Sequence, residues 1–170
     1  MALLLLLASP AGAGESGADD LLLGLNKSLS EVVILSRVGE RNKQSRTSYV
    51  FRRENGRIAV REDYHGAITD GRGVYIEWSG TFIRTFDPHQ VEVLSLEPKL
   101  NFFRVKCKGM AKCVESVARD ETTWIRGEPV MGPMSSAGLS RSFNIMTGRP
   151  GLAKEKAAQE MRALVELLGQ

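Results

Sequence analysis

The sequence predicts an α+β protein: an antiparallel strand-rich meander, arranged as a barrel or a sandwich, with one helix before it and an amphipathic helix packed on the sheet after it. Three observations carry this expectation. Between Thr47 and Val117 the chain is a series of short runs rich in Val, Ile, Tyr, Phe and Thr, separated by turn residues and without a helical period. In the segments flanking this body, apolar residues recur every three to four positions, which places them on one face of a helix. The length of 170 residues, 42% hydrophobic and 25% charged, suits one domain with its own core and excludes an intrinsically disordered chain.

At the N-terminus, MALLLLLASPAGA is an uncharged Leu run broken by Ser9 and Pro10, with Ala11 and Ala13 two positions apart. It reads as the apolar region and small-residue cleavage site of a signal peptide spanning residues 1–13, without the usual preceding Lys or Arg. It is too short to cross a bilayer. Residues 14–170 are then expected to form a single strand-rich domain, periplasmic or secreted, with no transmembrane segment. Asp19 and Asp20 can cap a helix with Leu22, Leu25, Leu29 and Val32 on one face, and GERNKQSR after Val38 looks like a solvated connection.

The strand region follows. TSYVFRR leads through Asn55-Gly56, a strong hairpin signal, into RIAVRE, where Ile58 and Val60 alternate with polar residues. AITDGRG is the next turn, then VYIEW, a break at Ser79-Gly80, and TFIRTF; Asp87-Pro88 precedes VEVLSL, and Pro98 precedes LNFFRVKC. Arg126 to Gly138, RGEPVMGPMSSAG, lacks any period and reads as a long loop before a last strand, LSRSFNIM. Pro150 opens a helix over residues 150–168, stopped by Gly169, with Ala153, Ala157, Met161, Leu164 and Leu168 as its apolar stripe and Lys154 among its polar residues.

A strand-rich body closed by one C-terminal amphipathic helix is the order of pleckstrin-homology-like barrels. Through FDPHQVEV, CKGMAKCVE and KAAQEMRALVELL the chain also resembles uncharacterised secreted bacterial proteins of that order, over about two thirds of its length. The resemblance implies a fold and a compartment but no activity, and no catalytic residue carries over.

Both cysteines lie in VKCKGMAKCVE. A structural zinc site needs four ligands from closely spaced pairs, and His65 and His89 are too far along the chain to complete one, so no metal is expected. The spacing is not the C-x-x-C of thiol redox sites. Strand-like Val105 and Val114 flank the pair, and KGMAK makes a five-residue loop with Gly109 free to take a positive φ. The prediction is a Cys107–Cys113 disulfide closing a hairpin, in keeping with export.

Catalytic signals are thin. REDYH, Arg61 to His65, groups carboxylates, a phenol and an imidazole, but strand alternation sends Glu62 and Tyr64 to one face and Asp63 and His65 to the other. MSSAG lacks the nucleophile elbow, and there is no phosphate loop, metalloprotease helix or dinucleotide fingerprint, so no cofactor is expected. The +3 net charge, from 23 basic and 20 acidic residues, is too mild to imply nucleic acid, which export also disfavours. Basic residues are nevertheless concentrated from Arg41 to Arg61, opposed in that stretch only by Glu54, and again around the cysteines.

The functional expectation is therefore an exported, non-catalytic binding or interaction domain, with Arg52, Arg53, Arg57, Lys108 and Lys112 as a basic face for an acidic protein, a glycan or a lipid head group. Trp78 is expected in the core with Val74 and Ile76, and Trp124, near the long loop, at the contact surface. The alternative is a hydrolase-like enzyme using Asp63 and His65. Oligomeric state is not legible.

Overall fold

Asn55 and Gly56 both take positive φ, 50° and 75°, and turn the chain tightly between two long strands, as the Asn-Gly pair predicts. In the computed structural model, which describes residues 13–97, 99–148 and 151–170, these are β2 (Arg41–Glu54) and β3 (Arg57–Asp70). Before them come α1 (Ala13–Ser28) and β1 (Val32–Val38). After them come β4 (Gly73–Phe86), a 3-10 turn (Pro88–Gln90), β5 (Val91–Leu94), β6 (Phe102–Cys107), β7 (Val114–Ile125), β8 (Glu128–Ser140), β9 (Ser142–Met146) and α2 (Leu152–Leu168). Every strand pairing is antiparallel. A six-stranded sheet runs β1-β2-β3-β4-β7-β8, a three-stranded one runs β5-β6-β9, and they do not close into a barrel.

The two helices and the small sheet cover one face of the large sheet. Leu22 and Leu25 of α1, Leu29 just after it, Phe103 and Val105 of β6, Phe143 and Ile145 of β9 and Met161 and Leu164 of α2 form one buried cluster with Tyr49, Phe51, Ile58, Val60 and Phe86 of the large sheet. Asn26 of α1 fastens β2 from above: its amide accepts from Phe51 N at 2.6 Å and donates to Phe51 O at 3.0 Å.

Several expectations are corrected. The first helix ends at Ser28, and Val32 begins a strand instead of completing a helical stripe, because Val32, Val33 and Ile34 are β-branched and pair with β2. Asp19 and Asp20 lie inside α1 and do not cap it. The solvated connection GERNKQSR is largely the start of β2, VYIEW and TFIRTF are one strand, and the expected loop Arg126–Gly138 is mostly β8. Pro129 and Pro133 are tolerated because β8 is an edge strand that needs only one ladder of hydrogen bonds. Gly132 lets it approach β7, since a Cβ there would sit 2.2 Å from the Glu121 carbonyl oxygen. LSRSFNIM is divided at Arg141 between β8 and β9, which belong to different sheets. The expected signal peptide and the turn and helix-start prolines, Pro98 and Pro150, lie outside the described residues, save Ala13, which opens α1.

Cys107 and Cys113 are disulfide-bonded, with Cα atoms 5.8 Å apart. The strands they flank are not a hairpin, however: β6 belongs to the small sheet and β7 to the large one. The bond therefore pins the crossover between the two layers, and closing so short a loop stabilises the fold by about 2 kcal/mol in the chain-entropy model.

On α2 the buried stripe opens with Lys154 in place of exposed Ala153. Lys154 is fully buried, and its ammonium donates to the carbonyls of Leu96 at 3.1 Å and Glu97 at 2.9 Å. Beside it Glu155 accepts from the Ser95 hydroxyl at 2.8 Å, which holds the Glu155 carboxyl below its usual range. These contacts dock the start of α2 onto the segment after β5.

Candidate functional site

The covering layers reach only part way along the large sheet. Beyond Thr47 on β2, Glu62 on β3, Phe82 on β4 and Ala118 on β7, Gly66 is the sole buried residue among those described on these strands. The strands continue for roughly 25 Å past that line at their ordinary rise per residue. One sheet thus has a covered half and an uncovered half, both facing the same side.

Register fixes what the uncovered half presents there. Tyr64, Gly66 and Ile68 of β3 pair with Gly80, Trp78 and Ile76 of β4, and Trp78 pairs with Thr123 of β7. The rings lie against glycines: a Cβ on Gly66 would fall 2.2 Å from Trp78 Cζ2, and one on Gly80 would fall 2.5 Å from Tyr64 Oη. Tyr64 stacks on Phe82 with centroids 5.3 Å apart. Met131 and Met134 of β8, paired with Thr123 and Glu121, extend this face and are half-exposed. Lys43 Nζ stands 5.4 Å from the Trp78 ring, and at the far tip the guanidiniums of Arg41 and Arg126 lie 4.1 and 5.5 Å from the ring of Tyr75. Trp78 is therefore on the expected face with Ile76 but outside the core, while a bulge after Ile68 pairs Val74 with Thr69 and leaves it exposed.

A polar belt marks the boundary between the halves. Arg84 and Glu62 form an ion pair with side chains only 13% and 12% exposed. Tyr49 donates its hydroxyl to Glu62 and accepts from the backbone of Met146 at 2.9 Å, tying β2 and β3 to β9. The Arg84 guanidinium also lies over the rings of Phe82 and Phe143, at 4.5 and 5.2 Å. Tyr64 donates to Glu121 at 2.8 Å. Burial foremost, with the nearby carboxylates, pushes both phenols far above their ordinary range, so both remain protonated donors. An open depression of about 390 Å³ lies on this belt, walled by Ser116, Ser140, Ser142, Asn144 and Met146.

The residues singled out from sequence are distributed differently. Arg52 and Arg53 fall on opposite faces by strand alternation. Arg57 donates to the Thr85 carbonyl and pairs with Glu115 at 2.9 Å, which places the β2–β3 turn and the disulfide crossover at the same end of the sheet. At that end Lys108 donates to the His89 carbonyl at 3.0 Å, and Lys112 is exposed. Trp124 pairs with Glu77 near the other end, roughly 30 Å along β7 from Glu115 and on the outer face, so it does not join the basic residues. Asp63 and His65 share that outer face, opposite to Glu62 and Tyr64, as alternation requires. Asp63 accepts from Thr81 at 2.6 Å and pairs with Arg61, and His65 Nε2 lies 2.7 Å from Glu77. Among the described residues no cluster of His, Cys, Asp and Glu could hold a metal ion, and no helix is long and apolar enough to cross a membrane.

Sequence reasoning missed the Glu62–Arg84 pair and the aromatic face. The available signals were an arginine at an inward position between Phe82 and Phe86, and glycines at positions 66 and 80 within otherwise bulky strands. No family model, curated protein or solved structure matches the chain.

Proposed function

We propose that this protein is an exported, non-catalytic binding domain whose contact surface is the uncovered half of the six-stranded sheet, on the side that carries the core elsewhere. The observation supporting this is the set of aromatic rings, Tyr64, Trp78 and Phe82, held by the pairing of β3 with β4 on a face that no helix or second sheet covers among the described residues. Partly exposed apolar area of this kind, flanked by cations, is a feature of contact surfaces. The disulfide favours an oxidising compartment, periplasmic or extracellular. A hydrolytic role for Asp63 and His65 has weaker support, because both sit on an open strand face and are engaged by neighbouring side chains.

The basic face is a second reading, favoured by one observation: Arg52, Arg53, Arg57, Lys108 and Lys112 gather at one end of the molecule. It is the weaker of the two, since Arg57 is neutralised by Glu115 and Arg52 and Arg53 point apart. Immobilised protein exposed to periplasmic extract of its own source distinguishes them. Retention lost in Tyr64→Ala/Trp78→Ala and kept in Arg52→Glu/Arg53→Glu/Arg57→Glu is the expected result. The reverse pattern transfers the function to the basic end.

A further inference from the structure

We infer that the depression at the inner end of this face, between Arg84 and Ser140, is a subsite for a neutral sugar ring, so that the domain takes a short glycan laid along β4. The inference rests on the uncovered face being the contact surface and adds the chemical class of its ligand. Ser140 lines this depression, and its hydroxyl is buried and has no hydrogen-bond partner among the described residues. A buried polar atom left unbonded is rare in folded proteins and points to a partner from outside. Arg84 has five N–H donors, and its one hydrogen-bond acceptor among the described residues is Glu62. Asn144 accepts from Arg104 at 2.9 Å, so its amide N–H groups add further donors.

The site is therefore rich in donors and hydroxyls but carries no net charge, because Glu62 cancels Arg84. An anionic group would meet the Glu62 carboxylate, and an acyl chain would leave the hydroxyls and the guanidinium N–H groups not used by Glu62 desolvated without partners. A ring bearing several hydroxyls satisfies both donors and acceptors. Next to the depression, Phe82 and Tyr64 begin the aromatic face, and Trp78 follows roughly 13 Å further along β4. A sugar has apolar C–H faces and a polar rim, and this arrangement offers both kinds of contact in sequence.

An NMR titration of the full chain with cellotetraose and chitotetraose tests this, with tetragalacturonate as the charged counterpart and lysophosphatidylcholine as the acyl-chain counterpart. The expected result is saturable shifts at Arg84, Ser140, Asn144 and the Trp78 indole with at least one neutral tetrasaccharide. Ser140→Val and Asn144→Ala should each weaken that binding about tenfold while leaving the thermal midpoint nearly unchanged. Shifts at these residues with lysophosphatidylcholine or tetragalacturonate alone overturn the neutral-sugar assignment and leave the contact face standing. Sugar binding indifferent to both variants overturns the subsite. Silence from all four probes overturns it as well, and if retention from extract also survives Tyr64→Ala/Trp78→Ala, the contact face falls with it.

Discussion

The covered and uncovered halves of the six-stranded sheet are built from the same strands, yet they contrast in composition and exposure. On the covered half the inward positions are Tyr49, Phe51, Ile58, Val60 and Phe86, all nearly inaccessible and packed under two helices and a second sheet. On the uncovered half the same alternation presents Tyr64, Ile68, Ile76 and Trp78 to a face that no other described element covers. The hydrophobic effect accounts for the first set as stability. In the second set comparable side chains are only partly buried and gain less from folding, which is why the proposed contact surface is placed there.

The sharpest way to break this comparison is to remove the same group from both halves. Ile58→Ala, in the core, should cost about 3 kcal/mol, while Ile76→Ala, on the same sheet face, should cost less than about 1 kcal/mol, read from urea midpoints at constant slope. Equal losses would mean that the outer half is as much a part of the core as the inner. At the boundary, Glu62→Ala strands the Arg84 guanidinium and the Tyr49 hydroxyl, and a loss also near 3 kcal/mol is expected. The double variant Glu62→Leu/Arg84→Met should recover most of it, since no unpaired charge remains. Lys154→Met belongs wholly to the covered half. It leaves the Leu96 and Glu97 carbonyls without their donor, and about 2 kcal/mol should be lost with binding unaffected.

The smallest effect concerns acid. Because the Ser95 hydroxyl lowers the Glu155 pKa in the folded state, the stabilisation from this contact is present above the unfolded carboxyl pKa and is lost as pH falls through the lowered folded value. Thermal midpoints measured from neutral pH downward should therefore drop on the acid side, and Ser95→Ala should shallow that drop. An unchanged acid limb would remove Ser95 as its cause.

How much of this was legible in the sequence follows the same division. The Asn55-Gly56 turn, the sorting of REDYH between two faces, the Cys107–Cys113 bond and the closing helix were readable, because each rests on a local rule or on burial that leaves an alternating pattern. Residues 41–46 and 128–138 were not, because strands with neither face buried carry no alternation, and the prolines of β8 imitate a loop. Lys154 was misplaced because side-chain chemistry alone predicts exposure, whereas the carbonyls that bury it lie 57 and 58 residues away in the chain. The candidate site was hidden for the same reason: Glu62 and Arg84 are 22 residues apart, and only the register of β3 against β4 brings them together.

The two tryptophans lie on opposite faces of the uncovered half, Trp78 toward the core side and Trp124 toward the outside, so each reports on its own face. The most direct measurement is the emission of two single-tryptophan proteins, Trp124→Phe and Trp78→Phe, titrated with the fraction that the wild-type protein retains from extract. The expected result is a saturable change in the protein that keeps Trp78 and none in the protein that keeps Trp124. A change confined to Trp124 would place the contact on the outer face and contradict the assignment.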